Sequence, residues 1–143
     1  MSHEITIPDE IITNKIYIIR EQKVMLDRDL AELYGVETKR LKETVRRNKE
    51  RFPEDFMFEM SKEEFRNWRS QFATSKEDKK GLRYAPFCFT EQGVTMLSCV
   101  LNSKKAIEVN IRIIRVFTKM RKMLTDNLSL KLDIEEIKKK LTN

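Results

Sequence analysis

The stretch Val24-Met25-Leu26-Asp27-Arg28-Asp29-Leu30-Ala31-Glu32-Leu33-Tyr34-Gly35-Val36-Glu37-Thr38-Lys39-Arg40-Leu41 decides the fold. It opens β-rich and turns helical at Asp27, a good N-cap for a short helix over Arg28–Tyr34. Gly35 then suits the left-handed conformation that ends a helix. A second helix is predicted from about Glu37 to Arg51, stopped by Pro53. Two helices cross at a fixed angle when the first offers a small residue, the turn allows positive φ and apolar residues lock the pair. Ala31 supplies the small residue, Gly35 the turn, and Leu30, Tyr34, Val36 and Leu41 the lock. The usual pattern would place one more apolar residue at Thr44, yet Val45 carries it, so the second helix need not sit at the usual angle.

Outward from this pair, residues 1–14 read as a lead-in, with Ile5 and Ile7 adding a short strand before Pro8. Ile16–Ile19 and Lys23–Leu26 are β-rich runs around Arg20-Glu21-Gln22 and predict a hairpin, although its turn lacks Gly or Asn. Phe56–Met60 is a further strand. Ser61-Lys62-Glu63-Glu64 matches a capping box, and Phe65, Trp68 and Phe72 behind it share a helix face. Ala73–Leu82 is a polar loop. Arg83–Phe89 reads as a strand, and Pro86 argues for an edge position.

Thr90 caps a helix carrying Val94, Leu97 and Leu101 that ends at Asn102, and Ser103 caps the longest, about Lys104–Leu124. That helix has two apolar stripes. Ile107, Ile111, Ile114 and Phe117 form one; Val109, Ile113, Val116, Met120 and Met123 form the other. It is either the central core helix or packs on a second subunit. Asn110 either specifies register in a helical pairing or faces solvent. Leu130, Ile134, Ile137 and Leu141 keep 4-3-4 spacing in a short amphipathic helix, weak alone. The expected organisation is a lead-in (1–14), one domain (15–124) and a helical tail (125–143). The fold class is α+β, with helix-turn-helix-like helices, a small antiparallel sheet and a long C-terminal core helix.

The 143 residues carry a net charge of +6, and Lys39–Arg51 concentrates it. Lys39, Lys42, Arg46 and Lys49, spaced three, four and three apart, line one outer helix face, with Arg40, Arg47 and Arg51 beside them. A row of phosphates offers the matching charge. Thr38 and Lys39 stand at the end such a helix would present to base edges. The alternative is a solvated face whose cations pair with Glu43 and Glu50. Lys76, Lys79, Lys80 and Arg83 form a possible secondary, wing-like contact. Trp68, Phe72, Tyr84 and Phe87 are candidates to stack on bases, but the spacing of Trp68 and Phe72 favours core.

Catalysis is not expected. The single histidine, His3, allows no His-based pair or metal cluster, the glycines Gly35, Gly81 and Gly93 form no phosphate loop, and the carboxylate pairs sit in charged sequence. No cofactor or metal is implied. Cys88 and Cys99 read as buried free thiols, which fits a reducing cytoplasm. Met1–Ile5 lacks a signal-peptide pattern, and no apolar run is long enough to span a bilayer.

Three blocks carry a family resemblance: Val24–Leu41, Arg51-Phe52-Pro53-Glu54-Asp55-Phe56-Met57-Phe58, and Phe89-Thr90-Glu91-Gln92-Gly93-Val94-Thr95-Met96-Leu97. On them the sequence resembles the phage-associated ORF6N domain, a relative of KilA-N, from about Ile16 to Met123. The resemblance implies a DNA-binding α+β domain of phage and prophage proteins, often followed by an effector or coiled-coil region. Some of these proteins are antirepressor-like regulators. It carries the DNA-contact role to Asp27–Leu41 and brings no catalytic residues. Because the sequence stops at Asn143, functions of a large effector region are in doubt. The expected partner is double-stranded DNA, in a cytoplasmic, prophage-type transcriptional regulator. An alternative is an antirepressor-like module docking a regulatory protein through Lys104–Leu124 and the tail, surfaces that would equally serve a homodimer.

Overall fold

The computed structural model describes residues 7–72 and 84–141. Its sheet comprises β1 (Ile16–Ile19), β2 (Gln22–Leu26), β3 (Met57–Glu59) and β4 (Phe87–Phe89), antiparallel and ordered β1-β2-β4-β3. Side chains alternate along a strand, so each strand feeds two layers. Met25, Phe87 and Phe89 enter the main core, whereas Val24, Leu26 and Cys88 enter a smaller one with Phe65 and Trp68. Both faces are therefore covered, which is why β2 and β4 read as apolar runs.

The β1–β2 turn forms without glycine. Arg20 and Glu21 both take positive φ, 53° and 63°. The guanidinium of Arg20 meets Glu64 at 2.8 Å and lies 4.1 Å over the Phe58 ring, interactions that oppose the strain of that conformation. Pro86 does not mark an edge strand, because β4 lies inside the sheet between β2 and β3. The ladder begins only at Phe87, so the missing proline N–H is not needed, and the Pro86 carbonyl accepts from Met60 N at 3.0 Å.

The described part of the lead-in holds a helix. Helix α1 (Asp9–Thr13) follows Pro8, with acidic residues in its first turn, Ile12 buried, and Asp9 paired to Lys119 at 2.6 Å. Ile7 forms no strand, and Ile5 lies outside the described residues. Helix α2 (Asp27–Tyr34) ends at Gly35, φ 72°, as the sequence predicts. Helix α3 (Thr38–Arg47) is shorter than expected. Asn48 leaves the helical conformation (φ −117°), and Lys49–Arg51 is a separate 3-10 turn leading into buried Phe52.

Helix α4 (Lys62–Phe72) starts with the expected capping box: Ser61 N donates to Glu64 Oε1 at 2.8 Å, and Glu64 N donates to Ser61 Oγ at 3.1 Å. Phe65 and Trp68 are buried, and Phe72 is half-exposed. Helix α5 (Glu91–Leu101) is capped by Thr90, whose Oγ1 accepts from Gly93 N. The last helix, α6 (Lys104–Leu141), is one unbroken element, so residues 125–141 extend it instead of forming a separate tail helix.

Val109, Ile113, Val116 and Phe117 of α6 are buried in the main core with α2 and α5. Asn110 does not face solvent but is buried, with its amide occupied inside the domain. Its Oδ1 accepts from the Tyr34 hydroxyl and its Nδ2 donates to Val94 O at 2.8 Å, so one buried amide joins α2, α5 and α6. Burial pushes the Tyr34 phenol above its usual value, which keeps it a proton donor. Of the other stripe, Phe117 is buried and Ile114 partly buried, while Ile107 and Ile111 stay 43% and 47% exposed, so α6 leaves the first turns of that stripe to solvent.

Candidate nucleic-acid interface

Helix α3 is held by a narrow apolar edge. Leu41 and Val45, one turn apart, are buried in the main core, and the displaced Val45 thus takes the inward place that Thr44 does not. Thr44 instead returns its hydroxyl to Arg40 O at 3.0 Å. Gly35 sets the approach of α3, and a Cβ there would stand 2.7 Å from Lys105 Nζ.

The second anchor is a buried charge. Asp27 is 2% exposed; its Oδ1 accepts from Arg28 N at 2.7 Å and its Oδ2 from Phe87 N at 3.0 Å. It is the first residue of α2, and no side-chain cap bond is made at that helix start, so the expected N-cap role is not the one it fills. Lys42 Nζ reaches Asp27 Oδ2 at 3.4 Å and Ala85 O at 3.3 Å, and lies 5.0 Å from the Phe87 ring centroid. One carboxylate therefore ties the starts of α2 and β4 to the middle of α3. Burial raises the Asp27 carboxyl above its usual range, against the opposing pull of the Phe87 N–H and Lys42. Asp29, beside it in the first turn, is also raised by burial and meets Lys15 at 3.4 Å.

The predicted contact residues consequently divide. Lys42 is turned inward and occupied. Thr38 is half-buried at the start of α3, while Lys39, Arg40, Arg46 and Arg47 are exposed along it. Arg46 also lies 5.5 Å from the Phe87 ring centroid. Lys49 and Arg51 are exposed but belong to the 3-10 turn, so the Lys39–Lys49 row does not continue along one helix. Glu43 stands four residues after Lys39 and three before Arg46, which puts a carboxylate within the outward row. A cleft of about 590 Å³ opens beside the far end of α3, and its lining includes the cations Arg20, Arg46 and Lys49, the carboxylates Glu54 and Glu59, and Phe87.

Lys76, Lys79, Lys80 and Arg83 lie outside the described residues. The chain re-enters at Tyr84, 74% exposed, with Lys42 Nζ 5.9 Å from its ring centroid. Phe87 is core. Trp68 and Phe72 pack edge-on against Tyr17, centroids 5.6 and 4.8 Å away, and Trp68 belongs to the layer on the other side of the sheet from Leu41 and Val45.

Two features escaped sequence reasoning. The Asp27–Lys42 pair spans fifteen positions with nothing local to signal it; only the apolar residues flanking Asp27 hint at burial. Gly93 is required by close approach, since a Cβ would stand 2.0 Å from Phe56 O. Cys88 is buried and its thiol pushed up to about 12 by that burial and by Asp27, which favours the protonated thiol. Cys99 is exposed, contrary to expectation, because it lies on the outer side of α5. Among the described residues no group of three or more His, Cys, Asp or Glu side chains is placed to hold a metal ion, and no helix is long and apolar enough to cross a membrane.

A small antiparallel sheet backed by helices, with one short cationic helix aimed outward by a glycine turn and a buried ion pair, defines a basic α+β domain. The ORF6N domain profile matches residues 14–100, from just before β1 to the last turn of α5, and the chain belongs to the ORF6N domain family. No curated protein and no solved structure gives a match.

Proposed function

We propose that the chain binds duplex DNA through α3 and the following 3-10 turn, as a phage- or prophage-derived transcriptional regulator. The observation that carries this reading is the division of α3 into a buried Leu41–Val45 edge and an exposed set of Lys39, Arg40, Arg46 and Arg47. Such a helix is fixed in direction by its domain and leaves its cations free to neutralise phosphates, releasing counterions. Lys42 contributes by holding α3 on Asp27 rather than by touching DNA. Membership of the ORF6N family supports the phage-type regulatory role. A docking role for the proximal half of α6 has a narrower basis, the exposed Ile107 and Ile111, because Val109, Ile113 and Val116 of the opposite stripe are buried.

The test is fluorescence anisotropy on duplex DNA at salt concentrations from about 50 to 200 mM, comparing wild type with Lys39→Ala/Arg46→Ala/Arg47→Ala. The variant is expected to bind more weakly, with a salt slope reduced by roughly two to three, about 0.9 per lost phosphate contact. Unchanged affinity and slope would remove α3 from DNA binding.

A further inference from the structure

The unbroken course of α6 joins two apolar patterns into one. Its inward stripe, buried Val109, Ile113 and Val116 and partly buried Met120, repeats at spacings of four, three and four. The repeat continues past the domain without a skip through Met123, Asn127, Leu130, Ile134, Ile137 and Leu141, at spacings of four and three in alternation. This is a heptad seam, with Met120, Asn127, Ile134 and Leu141 at a and Met123, Leu130 and Ile137 at d. In the proximal half the domain covers the seam. In the distal half Met123, Ile134 and Ile137 are 65%, 45% and 58% exposed. A solitary helix of this length draws its stability from a covered apolar face, and these residues have none within the described chain.

We infer that the covering element is the same segment of a second copy, in a parallel, in-register two-stranded coiled coil over about Met120–Leu141. Charge selects the partner and its direction. Asp126 and Asp133 occupy g positions; Lys131 and Lys138 occupy the e positions that follow. A parallel pair sets each g beside the e five residues on in the partner, which matches Asp126 with Lys131 and Asp133 with Lys138. An antiparallel pair would set g against g and e against e, bringing aspartates together and lysines together. Lys138 also has contacts within its own chain, which such an exposed flank can retain.

Asn127 fixes the register. A polar residue at one a position is satisfied only opposite its own copy, so it excludes slipped and higher-order pairings at some cost in stability. Asn110 cannot fill this role, because Tyr34 and Val94 already occupy its amide. The pairing is independent of the DNA reading, and its test contains no DNA.

Sedimentation equilibrium of the full chain is expected to give twice the 17.1 kDa chain mass at micromolar concentration. Ile134→Asp/Ile137→Asp is expected to halve the mass while thermal unfolding of the domain persists, since both residues lie outside its core. Asn127→Ile is expected to add species heavier than the dimer. In a Cys99→Ser background, Leu141→Cys is expected to form an interchain disulfide on mild oxidation, because parallel helices bring the two positions together. A monomeric wild type, or an Ile134→Asp/Ile137→Asp chain still at twice the mass, would overturn the coiled coil. Failure of the position-141 cysteines to cross-link would overturn the parallel direction, and a strictly dimeric Asn127→Ile chain would overturn the register role.

Discussion

Helix α6 places one apolar repeat in two environments. From Val109 to Val116 the seam is buried, and Asn110 beside it is satisfied by Tyr34 and Val94. Further along, Met123, Ile134 and Ile137 of the same repeat lie in solvent, and every residue beyond Met123 whose burial is described is exposed. The helix period is the same in both halves, so the difference comes from what is packed against it: α1, α2 and α5 along the proximal half. Periodicity identifies a face that needs covering; only the fold says whether the chain covers it itself.

The largest expected effect breaks this comparison directly. Ile113→Ala should cost about 2–5 kcal/mol of unfolding free energy, since it opens a cavity in a fully buried site. Ile137→Ala, on the same seam, should move domain unfolding by less than about 0.5 kcal/mol in dilute solution. Chemical denaturation of the two variants checks both, and equal losses would mean that the distal half is part of the domain core.

A second experiment sharpens the contrast between an occupied cation and a free one. Lys42→Ala should destabilise by about 3 kcal/mol at neutral pH, because it strands the buried Asp27 carboxylate, whereas Lys39→Ala should be nearly neutral for stability. The folded-state carboxyl of Asp27 is already raised, so its contribution to stability is fullest below its ordinary value of 3.8 and is lost as pH rises through the folded value. Removing Lys42 raises that value further. The Lys42→Ala deficit should therefore shrink as the pH is lowered through that raised folded value and Asp27 takes up a proton. A deficit independent of pH would separate Lys42 from Asp27.

The smallest effect concerns Glu64, whose bonds to Arg20 and the Ser61 N–H hold its carboxyl down at about 2. A depressed carboxylate contributes stability above its unfolded value of 4.5 and loses it as pH falls towards 2. Glu64→Gln should cost about 1 kcal/mol at neutral pH, and the cost should vanish in strong acid. Acid titration of unfolding midpoints measures it.

Local pattern was sufficient for a large part of the fold. The hairpin runs, the Gly35 terminus, the Ser61–Glu64 capping box and the Thr90 cap each depend on residues within a few positions of one another, and each stands where the pattern puts it. In the lead-in the helix Asp9–Thr13 escaped the pattern because five residues are too few to show a helical period, and the burial of Ile12 against the core accounts for it. The placing of β4 failed because Pro86 falls one residue outside the ladder, a detail smaller than the boundary any pattern can set.

For the candidate interface, residue type marked where cations gather, and sequence by itself determined that Lys39–Arg51 is basic and that Val24–Leu41 folds as strand, helix, turn and helix. Only tertiary structure decided which cations are available. Lys42 is spent on Asp27, Lys49 and Arg51 leave the helix at Asn48, and Lys39, Arg40, Arg46 and Arg47 remain outward. It also decided that α6 runs unbroken and that its seam is buried in one half alone. The physical reason is the range of the forces: propensity, capping and periodicity act within a turn or two of chain, whereas burial and ion pairing depend on partners that the fold brings from far along it.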